Sequence, residues 1–245
     1  MKKKYFPSFI LLLLLLITDS AGAAEQFPVV VEAAAKAMLT AQRSGVLSRL
    51  NVSAGDSVKK NQVLGVVFHE DLILKKQQAQ ARKKYLDIQV ENLGKLNEKG
   101  IVTNEEVAKA RMELAVNEKE ISMIQSEIDR SKIRSPFSGL VVARHVQPHE
   151  WVTPGRDMVE LYDPRKLRIM ADIPSEIAMK LKPGDTDIIF FPDLKQDVKA
   201  VFKVLSPQVD VRSNTIKVYW TVSGEEMKKV LLLPGMKGVL KLGSN

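Results

Sequence analysis

The feature that most constrains this chain of 245 residues is an internal repeat whose two copies are held apart by sequence of another kind. Ser44-Gly45-Val46-Leu47 through Leu64 aligns without gaps on Ser138-Gly139-Leu140-Val141 through Met158, at a constant offset of 94 residues. Val52 falls on Val146, Val58 on Val152 and Val67 on Leu161, and the polar turns Ala54-Gly55-Asp56 and Pro148-His149-Glu150 coincide. A repeat of this kind marks one structural unit used twice. Each copy reads as short strands with one apolar face, too little to be stable alone. Two such units laid face to face make a small flattened sandwich.

The intervening segment has a different period. Leu72, Ala79, Leu86 and Leu93 recur every seven residues, as do Val107, Leu114, Ile121 and Ile128, with Ala110 and Ile124 on a second seam. Sustained spacing of seven means a helix face buried against a partner helix. Most other positions are Lys, Glu, Gln, Arg or Asn, and no proline interrupts residues 72–131. Gly94 weakens the end of the first run, and Gly100 suits a left-handed helix cap. Thr103 followed by Glu106 is a capping box, in which hydroxyl and carboxylate each satisfy an orphan N–H. The spacing predicts helix, tight turn, helix, with antiparallel arms of about 25–28 residues or roughly 40 Å each. Arms of that length project from a compact domain. A larger bundle would need more helices than either flank offers.

Residues 163–245 alternate apolar runs with Pro, Gly and Asp. Leu167 to Ile173, Asp187 to Phe191, Lys199 to Leu205, Thr215 to Val222 and Met236 to Leu242 read as strands. Pro174-Ser175-Glu176 with Ile177, Met179 and Leu181 reads as one short helix. Several strands with one short helix predict a small β-barrel, to which Val29 to Thr40 adds a strand. The expected organisation is a signal peptide at 1–24, an N-terminal strand joining the barrel at 25–40, sandwich halves at 41–71 and 132–162, a helical hairpin at 72–131 and a barrel at 163–245. The fold class is mixed α and β: a split lipoyl-like β-sandwich with an inserted antiparallel coiled-coil hairpin, followed by a small β-barrel domain.

Residues 45–64, Gly-Val-Leu-Ser-Arg-Leu-Asn-Val-Ser-Ala-Gly-Asp-Ser-Val-Lys-Lys-Asn-Gln-Val-Leu, resemble the first half-motif of the biotinyl/lipoyl-like domain of periplasmic adaptor (membrane-fusion, HlyD-like) proteins. Ile133-Arg134-Ser135-Pro136-Phe137-Ser138-Gly139 resembles the start of their second half, and the split by a coiled coil is that family's arrangement. Val204 to Asp210, Arg212 to Thr215 and Leu233-Pro234-Gly235-Met236 resemble segments of its barrel domain. The resemblance implies a non-enzymatic adaptor linking an inner-membrane export transporter to a TolC-type outer-membrane channel. It also implies homo-oligomers, trimer or hexamer, whose hairpins form a tube. Arms of this length suit RND pump adaptors better than the longer hairpins of type I secretion. The family's docking tip carries an Arg, a Leu four residues on and a Ser seven beyond. Asn92, Leu96 and Thr103 hold those places here, with Gly100 in the turn. Asn92 lacks the fork of a guanidinium. Many relatives have a membrane-proximal domain built from both termini, which this sequence is expected to lack. A true carrier domain would display a modifiable lysine on the turn joining its halves. The hairpin replaces that turn, so no biotin or lipoyl cofactor is expected.

Other classes find little in the sequence. Cysteine is absent, which excludes disulfides, thiolate metal sites and lipidation at an N-terminal Cys. Lys2 to Lys4, the apolar run Phe9 to Ile17 and the small residues Ala21-Gly22-Ala23-Ala24 predict a cleaved secretory signal, the run being about half the ~20 residues of a spanning helix. A secreted destination, taken with the resemblance, implies a periplasmic protein associated with the inner membrane through its transporter. The formal charge is +8, or +6 once the three Lys and one Asp of residues 1–24 are removed. Its charges are interspersed without a basic, aromatic-lined stripe, so nucleic acid is not an expected partner. The histidines are His69, His145 and His149; the last two, with Glu150, have a metal-like spacing on a strand hairpin, where positions four apart share no helical face. Met158, Met170, Met179, Met227 and Met236 fit core filling, with a soft-metal exporter as the sharper reading. No nucleophile motif or phosphate loop is present, so no catalytic residue and no cofactor is assigned. The rival reading is a periplasmic ligand- or metal-binding protein without a tripartite role.

Overall fold

The computed structural model describes residues 25–242; the expected signal peptide at 1–24 lies outside the described residues. The repeat folds as two four-stranded units. The first is β2 (Lys36–Thr40), β3 (Gly45–Leu50), β4 (Ser57–Val58) and β5 (Val63–Val67); the second is β6 (Lys132–Arg134), β7 (Gly139–Arg144), β8 (Trp151–Val152) and β9 (Asp157–Tyr162). They form two sheets, β2-β9-β7-β4 and β6-β5-β3-β8. Pairing across the halves is reciprocal. Gly45 lies opposite Val152 in β3–β8, and Val58 opposite Gly139 in β4–β7, which is the same pair with the halves exchanged. Likewise the Gly55 N–H donates to the Val141 carbonyl, and the His149 N–H to the Leu47 carbonyl, at 2.9 and 2.7 Å. An approximate two-fold axis therefore relates the halves. Alternating inward residues fill the space between the sheets, with Leu47, Leu64, Val141, Val152, Met158 and Leu161 all buried.

The segment 25–40, expected as a strand of the barrel, instead feeds two layers. β1 (Glu25–Ala33) joins the barrel, whereas β2 pairs with β9 of the sandwich. The reason is burial. Val29 and Val31 pack into the barrel core, while Ala37 and Leu39 pack on the sandwich core. No Gly or Pro marks the switch at Ala34-Ala35, so the run reads as continuous in one dimension.

The hairpin is α1 (Glu70–Glu98) and α2 (Asn104–Arg130). Lys76 Nζ donates to Gln125 Oε1 at 2.6 Å, and Lys83 Nζ meets Glu118 Oε1 at 3.1 Å. Seven residues forward on one arm match seven back on the other, which fixes an antiparallel register. Leu72, Ala79 and Leu86 are buried on α1, as are Val107, Ala110 and Ile128 on α2. Asn117 occupies the second seam between Ala110 and Ile124 and is 2% exposed. Its Oδ1 has no hydrogen-bond partner among the described residues. A buried polar atom left unmet costs about 1–3 kcal/mol, and a lone seam Asn is a known means of fixing register at the expense of stability. Asn117→Leu is therefore expected to raise hairpin stability by about 1 kcal/mol or more. It should also broaden the distances between spin labels on the two arms. Thermal unfolding and pulsed electron-spin measurements check both.

The barrel closes in the order β1-β10-β13-β12-β11-β14. Its further strands are β10 (Leu167–Pro174), β11 (Thr186–Phe191), β12 (Gln196–Asp210), β13 (Thr215–Val222) and β14 (Lys237–Leu242). Trp220, Phe191 and Phe202 are its largest fully buried side chains, and α3 (Ser175–Ala178) tucks Ala178 into the same core. Where one short helix was expected there is a second, α4 (Gly224–Lys229). Ser223 caps it, its hydroxyl accepting from the Glu226 N–H at 3.2 Å. Ser-x-x-Glu is the usual N-terminal signal, here standing before a short helix that has no fully buried residue and only Met227 packed partly on the barrel core.

The architecture is a double insertion: the hairpin within the sandwich, and the sandwich within the barrel. Two adjacent strand connections join sandwich to barrel. The Ala34 N–H donates to the Lys166 carbonyl at 2.8 Å and the Asp163 N–H to the Ala35 carbonyl at 2.9 Å. The Asp163 side chain is buried and accepts from Arg165 Nε, Nη2 and backbone N–H at 2.9, 3.0 and 3.0 Å. Hydrogen bonding to the Arg165 side chain holds the Asp163 carboxyl below its ordinary range, against burial, which pushes it up. A carboxyl depressed in the folded state contributes stability above its unfolded pKa and loses it as pH falls through the folded value. Asp163→Asn should therefore cost about 1 kcal/mol at neutral pH, the solvent around Arg165 being allowed for. It should also flatten the acid limb of a plot of Tm against pH.

Candidate functional site

The distal end of the hairpin is built by two caps. α1 ends in a Schellman motif: the Gly100 N–H donates to the Asn97 carbonyl at 2.8 Å and the Ile101 N–H to the Leu96 carbonyl at 3.0 Å. Gly100 takes φ +71 with open space around its Cα, so backbone conformation alone requires glycine. Asn97 Nδ2 donates to the Val102 carbonyl at 2.9 Å and braces the turn. On the other side Thr103 caps α2. Its Oγ1 accepts from the Glu106 N–H at 3.2 Å and donates to Glu106 Oε2 at 3.0 Å, while its own N–H donates to that carboxylate at 2.8 Å. These bonds lower the Glu106 pKa, the backbone N–H of Thr103 foremost.

Four positions were singled out by sequence. Leu96, Gly100 and Thr103 lie together in the tip, and Asn92 stands one helical turn below Leu96 with its side chain exposed. Leu96 is half-buried. The Thr103 hydroxyl is engaged as both donor and acceptor within the cap. Ile101 was not singled out, and it forms the apolar apex, 65% exposed. Its signal is positional, an isoleucine directly after a cap glycine. Glu91 and Lys95 pair at 2.6 Å on the exposed surface, a contact that adds little. The tip thus offers a braced turn, an apolar apex and a neutral amide, which is equipment for contact and not for bond chemistry.

The arms carry a second feature missed in the sequence. Leu74, Tyr85 and Ile88 on α1 and Met112, Val116 and Met123 on α2 are exposed although apolar. Leu74, Ala81 and Ile88 are spaced by seven, as are Val116 and Met123, so each arm has an outer seam besides the one it buries. That signal was legible but weaker than the inner heptads.

His145 and His149 are exposed around the outer turn of the second sandwich unit. His149 takes φ 73 where its counterpart Gly55 takes φ 92, so it serves the turn's left-handed position. Among the described residues no cluster of three or more His, Asp or Glu is arranged to hold a metal. Among them, too, no helix is long and apolar enough to cross a membrane.

Residues 35–163 match the family model of the CzcB-like barrel-sandwich hybrid domain. Among curated proteins, the macrolide export protein MacA of Escherichia coli O157:H7 is 26% identical over 209 residues, which cover 76% of this chain and 55% of that protein. The chain thus spans about half the length of the curated relatives it matches. Among solved structures, a MacA–MexA chimera containing the Pseudomonas aeruginosa MexA α-hairpin superposes with a TM-score of 0.78 at 20% identity, covering 89% of this chain and 82% of that one. The membrane fusion protein Spr0693 of Streptococcus pneumoniae R6 gives 0.72 at 18% identity, covering 90% and 99%. At these identities the superpositions establish a shared fold.

Proposed function

Because the chain belongs to the family of the CzcB-like barrel-sandwich hybrid domain, we propose that it is a non-enzymatic periplasmic adaptor that links an inner-membrane export transporter to an outer-membrane channel. One observation carries this reading. The join between the two pseudo-symmetric sandwich halves, where a carrier domain would present its lysine, is occupied by a stiff antiparallel rod with a braced apolar tip. A rod of 29 and 27 residues on its two arms, roughly 40 Å long, is suited to spanning a gap and touching a partner at its end. The names of similar proteins, a macrolide export protein and a membrane fusion protein, support the same role. The preference for an RND-type transporter rests on arm length alone.

Assembly of several copies, trimer or hexamer, is supported by the outer seams. Six large apolar side chains exposed on two isolated helices cost solubility, whereas a neighbouring hairpin laid alongside covers them. The proposed arrangement packs the α1 seam of one copy against the α2 seam of the next, a head-to-tail contact that closes into a ring. Tyr85→Glu with Ile88→Glu is expected to abolish the ladder of cross-linked oligomers formed in cells while leaving the helical circular dichroism of the purified protein intact. An unchanged ladder contradicts this arrangement.

The experiment for the role itself is co-purification after cross-linking. The tagged protein is expected to bring down a transporter and a channel, and its deletion to lower tolerance to at least one drug or metal. If neither partner is recovered and tolerance is unchanged, the adaptor reading fails. The rival, a ligand- or metal-binding protein, predicts function unaffected by replacement of the tip.

A further inference from the structure

A cleft of about 610 Å³ lies between sandwich and barrel, against the two connections that join them. One wall is the outer face of the β2-β9-β7 sheet, with Lys36, Glu160, Tyr162 and Val142; the other is β1, β10 and the loop before β14, with Val30, Glu32, Arg168, Leu233 and Pro234. The volume is that of a site for a drug-sized molecule. Val142 and Leu233 are 46% and 41% exposed, so the cleft holds apolar surface that no other described residue covers.

The charges decide what fits. Arg168 is already satisfied: its Nη2 pairs with Glu32 at 2.9 Å and its guanidinium lies 4.3 Å from the centre of the Tyr219 ring. Lys36 lines the same wall but is exposed, so water already solvates its charge. Glu160 differs from both. It is half-buried on β9, an inner strand of the sheet, beside Tyr162 and Val142, and it makes no ion pair among the described residues. A carboxylate partly withdrawn from water and without a counter-ion is the group that gains most from an incoming cation. We propose that this cleft binds an amphipathic amine, its apolar body against Val30, Val142, Tyr162 and Pro234 and its ammonium on Glu160. A molecule held there touches both sides of the paired connections, so its binding also biases the angle between sandwich and barrel.

The test uses the whole mature chain and calorimetric titration with imipramine, a tricyclic tertiary amine. A neutral tricyclic of the same ring system and a carboxylate-bearing one serve as comparison probes. One site per chain is expected for the amine, with binding at least tenfold weaker for the neutral and acidic probes. Glu160→Gln should weaken the amine about tenfold or more, the worth of one charge-assisted contact. Lys36→Ala should tighten it a few-fold by removing a like charge. Val142→Trp, which fills the cleft from an exposed position, should abolish binding with the thermal transition retained. Equal affinity for all three probes, tighter binding of the acid, or an unchanged affinity in Glu160→Gln overturns the proposal.

Discussion

Gly139→Val is expected to unfold the sandwich, lowering its stability by about 3–5 kcal/mol out of the 5–15 kcal/mol typical of a domain. The reason is a backbone contact. A Cβ at Gly139 would overlap the carbonyl oxygen of Tyr162 on the neighbouring strand β9 and lie 2.9 Å from its carbonyl carbon. A side chain can turn aside, but a ladder carbonyl cannot move without breaking the β7–β9 pairing that seals one sheet. The pseudo-symmetric position makes a useful contrast. At Gly45 the added Cβ meets Val67 Cγ1 at 2.8 Å, the end of a side chain. The damage should spread outward through the double insertion. β1 and β10 pair in the barrel although Ala33 and Leu167 are separated by the whole sandwich and hairpin. Loss of the folded sandwich turns that connection into a long flexible loop and raises the entropy of closing the barrel. Chemical denaturation should therefore show both domains weakened in Gly139→Val, the barrel through the buried Trp220. Wild-type stability in this variant would mean that the strands are not packed as described.

The second large effect is functional. Leu96→Asp is expected to reduce export to the level of a deletion strain, with the thermal transition of the purified protein shifted by only a few degrees. Leu96 is half-buried near the tip, and its carbonyl, not its side chain, serves the Schellman motif, so an aspartate leaves the turn intact. It puts a charge on the proposed docking surface, and desolvating an unpaired charge costs more than the lost contact. Thr103→Ala makes the opposite prediction. It removes a cap worth about 1 kcal/mol and should lower hairpin stability with export retained, because the hydroxyl is fully engaged within the chain. Export assays with both variants separate docking from capping.

The contrast between those two positions shows what a linear reading can reach. The repeat at constant offset, the heptads, Gly100 and the Thr103–Glu106 box were legible because each is a local or periodic pattern with one cheap physical solution. Residues 36–40 were misassigned because no Gly or Pro separates β1 from β2, and only the facing cores divide them. α4 escaped because it is short and none of its residues is fully buried. Asn117 breaks a hydrophobic seam with a polar residue, so periodicity passes over it, although it is buried there with an unmet oxygen. The cleft was not legible at all. Glu32 and Arg168 lie on strands brought together only by closure of the barrel, and an unpaired Glu160 looks like any other glutamate until its surroundings are known.

The most direct test of the adaptor role is photo-cross-linking from the hairpin apex in living cells, with benzoylphenylalanine in place of Ile101. Ile101 is exposed and outside the helical seams, so the probe leaves the fold undisturbed. Illumination should yield a covalent adduct containing an outer-membrane channel protein, and adding Leu96→Asp should remove it. A folded, exported protein that gives no channel adduct from this position would contradict the account.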